Sequence, residues 1–172
     1  LRILECTAKD LDRSWHWFDR KELHKLSAVD ATSFTLPNEQ RQAQAMARAI
    51  LQAGMEPDEI DLINLHATGT REGDPVEIRA IRDLFGENPR PFVNATKGFI
   101  GHTLGAAGAI EAVFSVLAIR EGILIPGLAF ANPIESLGIK PVSKFTEGKN
   151  IRHVLSNSFG FGGNNTTLIF SK

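Results

Sequence analysis

The chain has 172 residues, 42% of them hydrophobic and 23% charged, with a formal net charge of −1. That length fits one domain with a real core, and the near-neutral balance gives no global attraction to nucleic acid or to an anionic membrane. The single cysteine, Cys6, excludes an internal disulfide framework and fits a reducing cytoplasm, while the longest apolar run, "GAIEAVFSVLAI", carries Glu111 and falls short of the roughly 20 residues that span a bilayer.

Residues 1–29 show no clear period. "SWHWFDRKELHKL" sets Trp15, Trp17 and Phe18 among alternating charges, and a helix or irregular arm is expected near 10–25, its aromatics packed on a neighbouring surface. From residue 38 the pattern clears. "NEQRQAQAMARAILQAG" predicts a helix of good formers, with Asn38 as N-cap and Gly54 as the stop. "DEIDLINLH" reads as a buried strand. "DPVEIRAIRDLFG" predicts a second helix, capped by Asp74, with Pro75 at its first position and Gly86 beyond its end. "PFVNA" is a short strand, and "GAAGAIEAVFSVLAIREG" a third helix. "KNIRHVLSNSFG" and "NTTLIF" are two closing strands joined by "GFGGN". The order β-α-β-α-β-α followed by β-β predicts a layered α/β domain with a partly parallel sheet.

The third helix is apolar nearly all the way round, with Glu111 as the charged exception. A surface helix shows an apolar stripe, not a full sleeve. Another layer is therefore expected against it, which makes the chain half of a larger packed body.

Three groups of residues suggest chemistry. His66 follows the strand "IDLINL", and His102 opens a second glycine-bearing turn. Ligands bind at the carboxyl ends of strands in open α/β sheets. Two histidines converging there can each give an Nε2–H to one carbonyl oxygen, an oxyanion site built from side chains. Two satisfied core histidines are the plainer alternative. Lys97 lies in the loop before His102 and is the sensible partner for Glu111, because a buried carboxylate without a partner is costly. "NSFGFGGNN" alternates Phe159 and Phe161 with Gly160, Gly162 and Gly163, ahead of Asn164. A glycine-hinged loop carrying an aromatic can act as a gate, and its amides can stabilise an oxyanion; a bland hairpin turn is the other reading. "GHTLGAAG" lacks the Gly-Lys-Ser/Thr ending of a phosphate loop. No histidine and carboxylate spacing suggests a metal site. His16, His24 and His153 default to structural or surface roles.

Taken together, "DAT" at 30, "HATGT" at 66, "GDPVE" at 73, "TKGFIGHTLGAAGAIE" at 96 and "NSFGFGG" at 157 resemble the C-terminal half of the β-ketoacyl-acyl carrier protein synthases, the condensing enzymes of fatty acid and polyketide synthesis. The resemblance covers 30–172 as a ketoacyl synthase C-terminal domain and leaves 1–29 outside it. It implies a thiolase-like half that pairs with an N-terminal half into five α-β-α-β-α layers. It implies an acyltransferase catalysing decarboxylative Claisen condensation of malonyl-carrier protein with an acyl thioester. His66 and His102 would bind the malonyl thioester carbonyl, Lys97 would orient the site with Glu111, and Thr68 and Thr70 would bind the phosphopantetheine arm. Phe161 would gate the acyl pocket and lend its backbone N–H to the thioester oxyanion hole. No resident cofactor is implied; substrates arrive on acyl carrier protein, and a dimer or hetero-oligomer is expected. The nucleophilic cysteine would come from the N-terminal half, since Cys6 lies outside the matched region with no feature to lower its pKa. "HATGT" carries Ala67 where the family commonly has glycine. Two other readings are a non-condensing subunit, either a malonyl decarboxylase or a partner like a chain-length factor, and a carrier-binding scaffold without chemistry.

Overall fold

The computed structural model describes residues 2–3, 35–128 and 138–172. The helix or arm expected near 10–25, its tryptophans and Cys6 lie outside the described residues. After a two-residue strand β1 (Arg2–Ile3), the chain is described again from Thr35, and α1 (Glu39–Gln52) follows. Asn38 caps α1: its Oδ1 accepts the Arg41 N–H at 3.0 Å, filling one of the amides that a helix start leaves unpaired. Gln42, Ala45, Met46 and Ile50 form its buried stripe, at the three- and four-residue spacing of one helical face. Gly54 turns the chain away with φ +66°.

A short 3-10 turn (Pro57–Glu59) leads into β2 (Leu62–Asn64), shorter than the run "DEIDLINLH" suggested. Next come α2 (Gly73–Phe85), β3 (Phe92–Asn94), a single helical turn α3 (Lys97–Ile100), α4 (Ala107–Glu121), β4 (His153–Gly160) and β5 (Asn164–Ser171). The sheet order is β1-β5-β4-β2-β3. β2 is parallel to both β3 and β4, whereas β5 is antiparallel to β4 and to β1. The partly parallel sheet is as expected.

Two assignments change. Asp74 does not cap α2, which begins one residue earlier at Gly73 with Glu72 at the cap position, so Pro75 is third in the helix. Asp74 instead turns its carboxylate back onto the preceding loop, a use that competes with capping. Lys97 is not in a loop but opens α3, with Thr96 before it.

The helices cover opposite faces of the sheet. On one face α1 and α2 bury Met46, Ile50, Ala80 and Ile81 against Ile63, Val93, Leu155 and Ile169. On the other, α4 buries Ala118 and Ile119 against Leu62, Val154 and Phe170. Of the sleeve predicted for α4, Ala107, Glu111, Ser115, Ala118 and Ile119 are buried, while Val113 is 58% exposed. The described residues thus bury one side of an apolar helix and leave apolar surface on the other.

Gly122 ends α4 in the left-handed region, φ +64°, and its N–H reaches Ala118 O. A Cβ there would stand 2.5 Å from the Lys149 carbonyl oxygen. Gly122→Ala is expected to cost more than about 1 kcal/mol, the left-handed penalty plus the backbone clash. A urea-unfolding midpoint equal to wild type would contradict this.

Candidate active site

Three parallel strands end along one edge of the sheet. β2 runs on to His66, β3 to Lys97 and β4 to Phe161. The His66 and His102 rings meet edge to face, centroids 5.4 Å apart and planes at 85°. Phe159 lies 6.2 Å from His66, tilted by 55°.

The backbone around His102 fixes its ring. Gly101 has φ +71°, and Leu104 has φ +51°, a strained value for a leucine. That turn brings the Leu104 N–H to His102 Nδ1 at 3.3 Å. The Nδ1 lone pair is thereby occupied, so the neutral ring carries its proton on Nε2 as a donor. His66 Nδ1 is buried and finds no hydrogen-bond partner among the described residues. Burial first, then Lys97, then His102 push His66 down to about 3. Its imidazole is therefore neutral at physiological pH, able to donate one N–H and unable to repel a cation.

Beneath His66 lies a carboxylate that the sequence reading left without a role. Glu77 Oε1 accepts the His66 N–H and Oε2 the Ala67 N–H, both at 2.9 Å. Asn157 Nδ2 donates to Glu77 Oε1 at 3.0 Å, and Asn157 Oδ1 accepts from Thr167 Oγ1 at 2.8 Å. Burial raises Glu77 to about 7, against the lowering influence of these donors and of Lys97. One signal could have exposed it: Glu77 falls on the same helical stripe as Ala80 and Ile81. Asp74 holds the rest of the loop, accepting from Thr68 N at 3.1 Å and from Gly69 N at 3.2 Å to each oxygen. Burial pushes Asp74 up as well. The Thr68 and Thr70 hydroxyls, 3.5 Å apart, stand exposed on the rim of the site.

Lys97 Nζ bonds Glu111 Oε1, and both side chains are buried. Burial pushes Glu111 up, and Lys97 acts against that rise. The pair adjoins a polar row across the sheet, where Ser156, Asn64 and Asn94 sit in register on three neighbouring strands. Asn64 Nδ2 donates to Ser156 Oγ at 3.3 Å, and Thr96 Oγ1 donates to Asn64 Oδ1 at 3.4 Å. Buried polar groups of this kind hold a geometry because each loses energy when left unpaired.

The cleft at this edge has a volume of about 1060 Å³. His66, His102, Thr68, Thr70, Phe159 and Phe161 all line it. Gly160 and Gly163 border it too, whereas Lys97 and Glu111 lie buried off its wall. The "GFGG" segment is a 3-10 turn (Phe161–Gly163) with φ +74° at both Gly162 and Gly163. It presents Phe161, 69% exposed, at the mouth, while Phe159 is buried. The arrangement offers two imidazoles, that of His66 neutral, with a buried cation behind them and an aromatic rim. Such a set stabilises negative charge growing on a carbonyl oxygen.

Glu77 and His66 oppose each other in stability. Glu77 binds its proton more tightly folded than unfolded, so its contribution falls as pH rises from its ordinary 4.5 to about 7. His66 binds its proton less tightly folded, so its contribution falls as pH drops from 6.5 towards 3. The slopes cancel in the overlap. His66→Gln is expected to leave only raised carboxyls, Glu77 with Asp74 and Glu111, and so a stability that declines from pH 4.5 to 7 in urea unfolding; a curve that still rises there would contradict the assignment.

Known proteins share this architecture. The 3-oxoacyl-[acyl-carrier-protein] synthase 2 of Mycobacterium bovis is 42% identical over 136 residues, which cover 79% of this chain and 32% of that protein. The mitochondrial 3-oxoacyl-[acyl-carrier-protein] synthase of Arabidopsis thaliana is 44% identical over 149 residues, 83% of this chain and 32% of the relative. The chain therefore spans about a third of the length of these curated relatives. The solved ishigamide ketosynthase/chain length factor superposes with a TM-score of 0.82 at 35% identity, over 85% of this chain and 36% of that one. The thiolase-like half expected from the sequence is the fold observed. Residues 24–131 match the model described as beta-ketoacyl synthase, C-terminal domain, and the chain belongs to that family.

Proposed function

We propose that this chain supplies the carbonyl-activating half of a β-ketoacyl-acyl carrier protein synthase. The carrying observation is the histidine pair, two rings 5.4 Å apart at the mouth of one cleft, with the His102 Nδ1 already engaged. A malonyl thioester oxygen placed between them accepts both Nε2–H groups. The bond to the carboxylate carbon breaks, CO₂ leaves, and its electron pair forms an enolate whose oxygen the histidines hold. The enolate carbon then attacks an acyl thioester on a cysteine of an N-terminal half. A carbon–carbon bond forms and the cysteine thiolate leaves. Lys97, paired with Glu111, adds a positive field behind His66. Thr68 and Thr70 hold the phosphopantetheine arm, and Phe161 gates the acyl side and gives its N–H to the acyl oxyanion. Domain 30–172 carries these parts. The partners are the cysteine-bearing half and acyl carrier protein, and the lone cysteine suits a reducing compartment such as the cytoplasm.

The test is CO₂ release from malonyl-carrier protein by the assembled enzyme after its nucleophilic cysteine is alkylated. Decarboxylation should persist while condensation stops. Absence of CO₂ release from the unmodified enzyme would overturn the proposal. The ketosynthase/chain length factor likeness supports a second reading, in which His66, His102 and Lys97 serve a non-condensing subunit. A partner without a cysteine at the start of a buried helix would favour it.

A further inference from the structure

Gln42 stands in the first turn of α1, on the buried stripe that continues to Met46. The residue is 2% exposed, and its Oε1 has no hydrogen-bond partner among the described residues. It lines the same cleft as the histidine pair. Its place relative to His66 follows from a chain of contacts. Met46 Sδ lies 3.4 Å from Asn157 Nδ2, Asn157 bonds Glu77, and Glu77 holds the His66 amide. Gln42 precedes Met46 by about one helical turn, on the same buried face of α1, and shares the cleft with His66.

A buried carbonyl oxygen with no donor is rare in native proteins and marks a place that something else completes. Because Gln42 Oε1 is an acceptor, the completing group is a donor. A thioester carbonyl and an alkyl chain offer none. A carrier arm does: its first amide N–H lies only two methylene groups from the sulfur. With the thioester oxygen between the histidines, that N–H lies within the cleft that Gln42 also lines. The Thr68 and Thr70 hydroxyls on the rim can donate to the arm's carbonyls, so donor and acceptor needs are divided between two walls of the cleft.

We propose that Gln42 Oε1 accepts the amide N–H of the carrier arm nearest the thioester sulfur, as a substrate-positioning contact. This rests on the function proposed above. It is tested on the assembled enzyme with two probes, malonyl-N-acetylcysteamine and its oxyester analogue, in which that N–H is replaced by oxygen. Wild type should show a KM about tenfold lower for the amide probe, the effect of one hydrogen bond. Gln42→Met, close in shape and without an acceptor, should raise KM for the amide probe about tenfold with little change in kcat, and should shift the oxyester KM less than about twofold. Equal KM for both probes in wild type would overturn the contact, as would a Gln42→Met penalty shared by both. The probe comparison in wild type stands even if the variant does not fold. If wild type turns over neither probe, the function proposed above fails and this contact with it.

Discussion

His102→Ala is expected to lower decarboxylation of malonyl-carrier protein about 10²–10³-fold, mostly in kcat. That is the usual effect of removing one preorganised donor from a developing oxyanion. The expectation comes from geometry. His102 is exposed, so its loss disturbs little packing, and its Nδ1 bond to Leu104 N aims Nε2 at the cleft. His66→Ala should have an effect of similar size. The double variant should fall only slightly further, because the two donors act on one oxygen. His102→Gln, which keeps an N–H, should recover part of the rate. A loss under about fivefold in the alanine variant, with the fold intact by circular dichroism, would mean that the oxygen is not held there.

The second large effect is on stability. Lys97→Met leaves Glu111 buried with no cation, and breaking a buried pair from one side costs about 3–5 kcal/mol. Glu111 is 0% exposed, so water cannot make good the loss. The double variant Lys97→Met/Glu111→Leu should regain most of the stability, since apolar replacements of both partners are often neutral or better. Glu111 is already raised by burial, so the single variant should lose less as pH falls and the carboxyl takes up a proton. Urea unfolding of the three variants decides it. Additive losses in the double variant would show that the two groups are not a unit.

What the sequence made legible was local. Asn38 as a cap needs only the amide three residues on, and Gly54, Gly86 and Gly122 mark helix ends through their own φ values. His66 and His102 stood out because each sits in a glycine-bearing turn after a strand, His66 directly and His102 at the end of a loop. That they meet depends on β2 and β3 lying side by side in parallel, which no single stretch encodes. Glu77 stayed hidden for the same reason. Its partners lie 11, 10 and 80 residues away in the chain, and a lone glutamate in a helix resembles any surface charge. Asp74 was misread because an aspartate before a proline resembles a cap, while its carboxylate is committed to the Thr68–Gly69 amides. The apolar circumference of α4 was plain in the sequence. The described chain covers only one side of that helix, and Val113 remains exposed.

That open face, and a set of described residues that holds no cysteine, lead to the claim at the centre of the proposal, that the working site is completed by an N-terminal synthase half. Native mass spectrometry of the purified assembly, with every polypeptide identified, tests it most directly. The prediction is a mass well above this chain's 18.8 kDa, containing a cysteine-bearing synthase half. A stable, lone monomer of 18.8 kDa would contradict it.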